Sequence, residues 1–143
     1  MWDTAGSERF KSLIPTYLKN AHAIILTFDI TNKGTFLSLP NWLKEIKDKI
    51  PENAFIIVTG NKLDLESKRQ VSQADAKKFC DEFKLQYVET SATDGKNVKK
   101  LFEIITSSLY ENHNLNTNKD KTVILDQAYK QPEMKKGKCC GKS

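Results

Sequence analysis

The chain has 143 residues, which allows one domain and excludes two of full size. With 38% hydrophobic and 29% charged residues it has a globular composition, which excludes collagen-like and disulfide-scaffold classes. The net charge of +5 is unevenly placed: residues 1–112 carry 16 Lys and Arg against 15 Asp and Glu, and residues 113–143 carry 7 against 3. The excess belongs to the tail, where it suits an anionic membrane as well as any other polyanion. The body lacks the basic stripe with interleaved aromatics of a nucleic-acid groove, so no nucleic-acid partner is expected. The longest apolar stretch, Ala23-Ile24-Ile25-Leu26, is far below the ~20 residues of a membrane span, and Met1-Trp2-Asp3-Thr4 is no secretory signal.

In chain order, Ala23–Asp29 is an apolar run of strand length ending in an acid. Leu39, Leu43, Ile46 and Ile50 then share one helical face, with Pro40 suited to a first turn and Pro51 marking the stop. Phe55–Asn61, rich in β-branched residues, is a second strand. Ser72 to Asp75 resembles a capping box with Asp in place of Glu, opening a helix that runs through Phe83. Its apolar face carries Ala76, Phe79, Cys80 and Phe83, which makes Cys80 a core thiol. Gln86–Thr90 is a weaker third strand, and Asn97 is placed to cap a last helix bearing Val98, Leu101, Phe102, Ile105 and Leu109. Strands alternating with helices predict right-handed βαβ units and a parallel sheet. From Asn112 onward the periodicity is lost, and a polar, disordered linker is expected. Three cysteines, an odd number, argue against a disulfide framework. Cys139 and Cys140 have no His or acidic cluster beside them, so zinc is disfavoured and lipidation is suggested.

Open parallel sheets bind ligands beyond the carboxyl ends of their strands. The residues there are Asp29-Ile30-Thr31, Asn61-Lys62-Leu63-Asp64 and Ser91-Ala92. A carboxylate such as Asp64 accepts two parallel hydrogen bonds from the ring N–H and exocyclic amine of guanine, and adenine offers no such pair. An acceptor left unpaired by the wrong base costs ~1–3 kcal/mol, enough to discriminate. The Lys62 stem can lie against the base plane, and Asn61 can tie neighbouring loops together. The same four residues also suit a plain β–α turn. Glu89-Thr90-Ser91-Ala92 has small side chains that let backbone N–H groups approach a base oxygen, and it also suits an ordinary tight turn. Near the start, Asp3 can hold Mg²⁺ through water, and Gly6 can present its N–H to a terminal phosphate.

Together, WDTAG-x-ERF at 2–10, GNKLDL at 60–65 and ETSA at 89–92 resemble the Ras-like small GTPases, and specifically the Rab family. DITN at 29–32, Phe36 and Trp42 match the Rab pattern as well, and the resemblance covers residues 1 to about 112 plus the terminal cysteines. KSLIPTY at 11–17 and NVKKLF at 97–102 are most similar to the Golgi-associated, retrograde-trafficking branch. The resemblance implies GTP or GDP with Mg²⁺ as cofactors. Asp3 would be the water-mediated Mg²⁺ partner and Gly6 the γ-phosphate contact. Asn61, Lys62 and Asp64 would hold guanine, with Ser91 and Ala92 closing the pocket. Trp2 and Tyr17 match aromatic residues with which Rab proteins meet effectors. The implied fold is a partial P-loop NTPase, a doubly wound parallel sheet keeping strands 4-5-6 of the family order 2-3-1-4-5-6, with the AIILTF edge left exposed.

Departures from the family pattern shape the remaining expectations. Residues 1–112 match the family from its switch II to its last helix, so the phosphate loop GxxxxGK[ST] and switch I are expected to be missing, and tight GTP binding is not expected. Gly137 to Ser143 resembles that loop, but it is one residue short and has no strand before it. Ser7 stands where the family has a water-orienting Gln, which implies slow GTP hydrolysis, and Thr93 stands where Lys usually covers the base. Cys139 and Cys140 resemble a double geranylgeranylation signal, and two lipid chains beside Lys135, Lys136, Lys138 and Lys142 suffice for stable anchoring. The expected function is a monomeric GTP-binding switch in vesicle-mediated transport, on the cytoplasmic face of Golgi and endosome membranes and cycling with the cytosol. Its expected partners are effectors, an exchange factor, a GTPase-activating protein, an escort protein and a prenyltransferase. The alternative is a non-catalytic, membrane-anchored fragment that occupies escort, prenylation or effector proteins.

Overall fold

The computed structural model describes residues 18–112. Ala23–Asp29 (β1), Phe55–Asn61 (β2) and Gln86–Glu89 (β3) form a parallel sheet in the order β1-β2-β3. Lys33–Leu37 (α1) and Leu39–Lys47 (α2) connect the first pair of strands. A 3-10 segment, Leu63–Lys68, and Gln73–Glu82 (α3) connect the second pair, and residues 98–112 form the last helix, α4.

The sheet is covered on both faces, and the sequence pattern of β2 follows from that. Val58 is fully buried in a core shared with Leu26 and Phe28 of β1, Leu39, Leu43 and Ile46 of α2, and Ala76 and Cys80 of α3. Its neighbour Ile57 points the other way, into a second core with Val88 of β3 and Leu101 and Ile105 of α4. Cys80 is a buried free thiol, as its helical spacing suggests, and burial pushes it up to about 11. Among the described residues β1 has one strand partner, and only Leu26 and Phe28 are buried on it.

Local sequence explains most of the helix ends. The Ser72 hydroxyl accepts the Asp75 N–H at 3.0 Å, an N-cap of the kind that contributes ~1 kcal/mol. The reciprocal half of a capping box is absent: Ser72 Oγ donates to Asp75 Oδ2 at 2.6 Å, a bond that Asp, one carbon shorter than Glu, takes up. Pro40 lies in the first turn of α2, where its missing N–H costs nothing. Asn97 departs from expectation. Its carbonyl accepts the Leu101 N–H, but its backbone is left-handed (φ 59°) and its side-chain amide donates to the Glu89 carbonyl at 2.8 Å. It ties α4 to the end of β3 rather than capping its own helix. The short helix α1 carries Phe36, whose ring lies 5.1 Å from that of Phe28 and 5.6 Å from that of Phe79, linking β1 to α3.

Gly60 sits where the sheet has least room. A Cβ there would lie 2.7 Å from the Tyr87 hydroxyl and 3.1 Å from the Phe28 ring. Tyr87 stacks on Phe28 and its hydroxyl donates to Glu89 at 2.7 Å, so it has little freedom to retreat. Gly60→Ala should therefore lower the unfolding free energy by roughly 1–3 kcal/mol, read from the urea midpoint at an unchanged slope. A midpoint equal to that of the unaltered chain would contradict the close packing.

Candidate functional site

The register brings the strand ends level. Asp29 pairs with Asn61 across β1 and β2, and Gly60 pairs with Glu89 across β2 and β3. The loops leaving all three strands therefore meet at one end of the sheet, where ligands of such folds bind.

Two of these loops are joined by direct hydrogen bonds. Asn61 Oδ1 accepts the Ala92 N–H at 3.2 Å, and the Leu63 N–H donates to the Thr90 carbonyl at 3.0 Å. The hydroxyl of fully buried Ser91 donates to Asp64 Oδ1 at 2.7 Å. The structure thus brings together Asn61, Asp64, Ser91 and Ala92, four of the five residues that the resemblance assigns to the guanine pocket; the fifth, Lys62, lies between Asn61 and Asp64 and turns its ammonium to Asp29. Thr93 is exposed beside them. Trp2, Asp3, Gly6, Ser7, Tyr17, Cys139 and Cys140 lie outside the described residues.

Lys62 connects this pair of loops to β1. Its backbone is left-handed (φ 69°, ψ 38°), a conformation that costs a residue with a Cβ roughly 1–2 kcal/mol. Its Nζ lies 2.6 Å from Asp29 Oδ2, while Asp29 Oδ1 accepts the Thr31 N–H at 2.8 Å and its hydroxyl at 2.6 Å. Burial works against the Asp29 charge, but the bonds from Lys62 and Thr31 outweigh it and hold the carboxyl below its ordinary 3.8.

A polar cluster that no motif in the sequence announces forms around Arg69. Arg69 lies immediately after the 3-10 segment, and its guanidinium grips Glu89 bidentately at 2.8 and 2.9 Å. The same group holds Glu66 through Nε at 2.8 Å and donates to the Val71 carbonyl at 3.0 Å. These bonds, from Glu66 first, raise the guanidinium far above its ordinary value. Burial, followed by the bond to Glu89, likewise raises the Tyr87 hydroxyl far above its own. Arg69 and Glu89 are mostly buried, at 16% and 8% side-chain exposure, so removing Arg69 strands the charge of Glu89. Such losses cost on the order of 3–5 kcal/mol. A signal was present in the sequence, since Arg69 is one of two arginines among 23 basic residues. Bidentate geometry requires Arg over Lys.

The charges at this end are unequally paired. Asp29 holds Lys62, and Glu66 and Glu89 share Arg69. Asp64 is exposed and, among the described residues, holds only the neutral Ser91 hydroxyl. A carboxylate has about four acceptor positions, so most of its capacity is open to a ligand with adjacent N–H donors. The ring N–H and exocyclic amine of guanine fit that demand. Adenine presents an acceptor in place of the ring N–H and does not.

Comparison with known proteins agrees with this geometry. The family model described as the Ras family matches residues 1–111. Ras-related protein Rab-30 of Homo sapiens is 42% identical over 117 residues, covering 82% of this chain and 58% of that protein. Ras-related protein Rab-26 of Bos taurus is 36% identical over 140 residues, covering 98% of this chain and 54% of that protein. Ras-related protein YPTC6 of Chlamydomonas reinhardtii is 35% identical over 151 aligned positions, 98% of this chain and 70% of that protein. The chain belongs to the Ras family of small GTPases, on its Rab side. It spans a little over half the length of Rab-30 and Rab-26. The three-stranded sheet with helices on both faces is the corresponding part of the Ras-like fold.

Asp29 gives this end of the sheet a defined acid response. Because its carboxyl is held below 3.8, the stability that it contributes is fully present above that pH. It is lost as pH falls through the lower, folded value. Asp29→Asn should cost about 1 kcal/mol at neutral pH, given that Lys62 is half exposed. Urea midpoints measured from pH 7 down to 3 should show the gap between the two proteins closing toward acid. A gap independent of pH would contradict the ion pair.

Proposed function

We propose that this chain carries the guanine-reading part of a Rab-type GTP-dependent switch in vesicle-mediated transport. The observation that carries the reading is the Ser91 hydroxyl on Asp64 Oδ1 at 2.7 Å, with Asn61 latching the Ala92 N–H beside it. Two loops from two strands converge on one exposed carboxylate that, among the described residues, is paired with no cation. Asp64 receives the two donors of the base edge, Ala92 offers a nearby backbone, and the Lys62 stem flanks the base plane. By resemblance, Mg²⁺ is held through Asp3, the γ-phosphate meets Gly6, and bound GTP orders the surface around Trp2 and Tyr17 that effectors read. In a chain that also holds the phosphate loop, Ser7 in place of Gln would leave the attacking water poorly oriented and favour a long-lived GTP state.

The tail supplies the membrane half of the proposal. Residues 113–143 hold 7 basic and 3 acidic residues and end near Cys139 and Cys140, which suit an escort protein and a prenyltransferase. Among the described residues no helix is long and apolar enough to cross a membrane. Prenyl chains and lysines then act together as the anchor to Golgi and endosome surfaces, with the tail as tether. The same basic tail favours a second reading, a non-catalytic fragment that engages escort or effector proteins without using nucleotide.

Titration of the ¹⁵N-labelled chain with GMP and with AMP separates the two readings. GMP in the millimolar range should shift the amide signals of Leu63, Asp64 and Ala92, and AMP should leave them in place. Asp64→Ala should weaken GMP at least about tenfold, the value of a charged hydrogen-bond pair. Equal responses to the two nucleotides, or none to GMP, would contradict the guanine reading and favour the second one.

A further inference from the structure

We propose that Arg69, through Glu89, is a positioning residue for base recognition, holding the segment that carries Asp64 at the angle where its carboxylate reads two donors at once. The proposal rests on the guanine reading above and extends it to a residue that touches no base. The 3-10 segment Leu63–Lys68 is pinned at its start by the Leu63 N–H on the Thr90 carbonyl and by Ser91 on Asp64. At its far end Arg69 grips Glu66, inside the segment, and Glu89, at the end of β3. Glu89 lies two positions before Ser91, so both pins anchor the segment to the same short stretch of chain where β3 ends. Between them Leu65 leaves helical geometry (φ −99°, ψ 34°), so the segment would lack a rigid internal register if either end were freed.

The far pin is itself fixed. Tyr87 donates to Glu89 Oε1 at 2.7 Å across the space that Gly60 leaves open, and the Asn97 amide holds the Glu89 carbonyl at 2.8 Å. Glu89 is therefore set from two directions besides Arg69. Beside the clamp an open cleft of about 360 Å³ is lined by Leu63, Glu66, Arg69 and Glu89 among others. Asp64 is not among the residues that line this cleft, so the clamp and the open carboxylate occupy different parts of the surface.

The positioning role predicts a specific loss. GMP presents two donors to Asp64, and IMP lacks the exocyclic amine and presents one. A carboxylate held square to the base edge should prefer GMP by about tenfold, and one that swings freely should lose most of that preference. The affinities of GMP and IMP are measured by amide shifts in the unaltered chain, in Arg69→Gln, and in the paired variant Arg69→Met with Glu89→Leu. The paired variant replaces both buried charges with apolar groups of similar size, a change that folds tend to tolerate. The preference should fall to about twofold or less in each variant that keeps dispersed signals. A merely structural role would lower the folded fraction and leave the GMP-to-IMP ratio unchanged. A retained ratio in folded Arg69→Gln or in the paired variant overturns the proposal. An unaltered chain that binds GMP and IMP equally overturns the guanine reading instead, and the positioning role with it.

Discussion

Three parallel strands end at the same level, and everything at the site depends on that register. Asp29 faces Asn61, and Gly60 faces Glu89, because β2 pairs with both neighbours without a bulge through these residues. A shift of one residue on either side would turn Glu89 away from Arg69 or Asp29 away from Lys62, since side chains alternate between faces. The register is held by apolar packing on both sides of β2, with Val58 in one core and Ile57 in the other. Hydrophobic burial thus fixes the sheet, and the sheet sets which polar groups can meet at its end.

What meets there is a graded set of carboxylates. Asp29, Glu66 and Glu89 are neutralised by Lys62 and Arg69 and act as structure. Asp64 is steadied by one hydroxyl and, among the described residues, is paired with no cation. The paired acids and the open one have opposite uses, and the difference between them lies in which cations the fold delivers. A buried guanidinium shared by two carboxylates is costly to desolvate, so its value lies in fixing geometry more than in raw stability. Lys62, left-handed and half exposed, stores a little backbone strain at the corner between these groups.

Much of this was legible in the sequence. The three strands, most of the α2, α3 and α4 faces and the buried Cys80 follow from apolar spacing, but Phe83 and Phe102, read onto those faces, are exposed and join neither core. Asn61, Asp64, Ser91 and Ala92 follow from their places just after strands. Arg69 was not legible as a partner because its contact with Glu89 spans twenty residues and depends on the β2–β3 register, which periodicity does not encode. The role of Gly60 was hidden for a similar reason: it is set by a tyrosine hydroxyl from the neighbouring strand. Asn97 reads locally as a cap, yet the carbonyl of Glu89, eight residues earlier, claims its amide. In each case a long-range polar contact overrode or added to a local preference.

The two loops are latched to each other before any ligand arrives. Amide hydrogen exchange of the ligand-free chain tests it directly, because the Leu63, Thr90 and Ala92 N–H groups donate across or beside that latch. The account predicts protection of Leu63 and Thr90 close to that of Val58 in the centre of the sheet, with Ala92 protected well above a free loop. Exchange of all three at the rate of an open loop, with Val58 still protected, would contradict it.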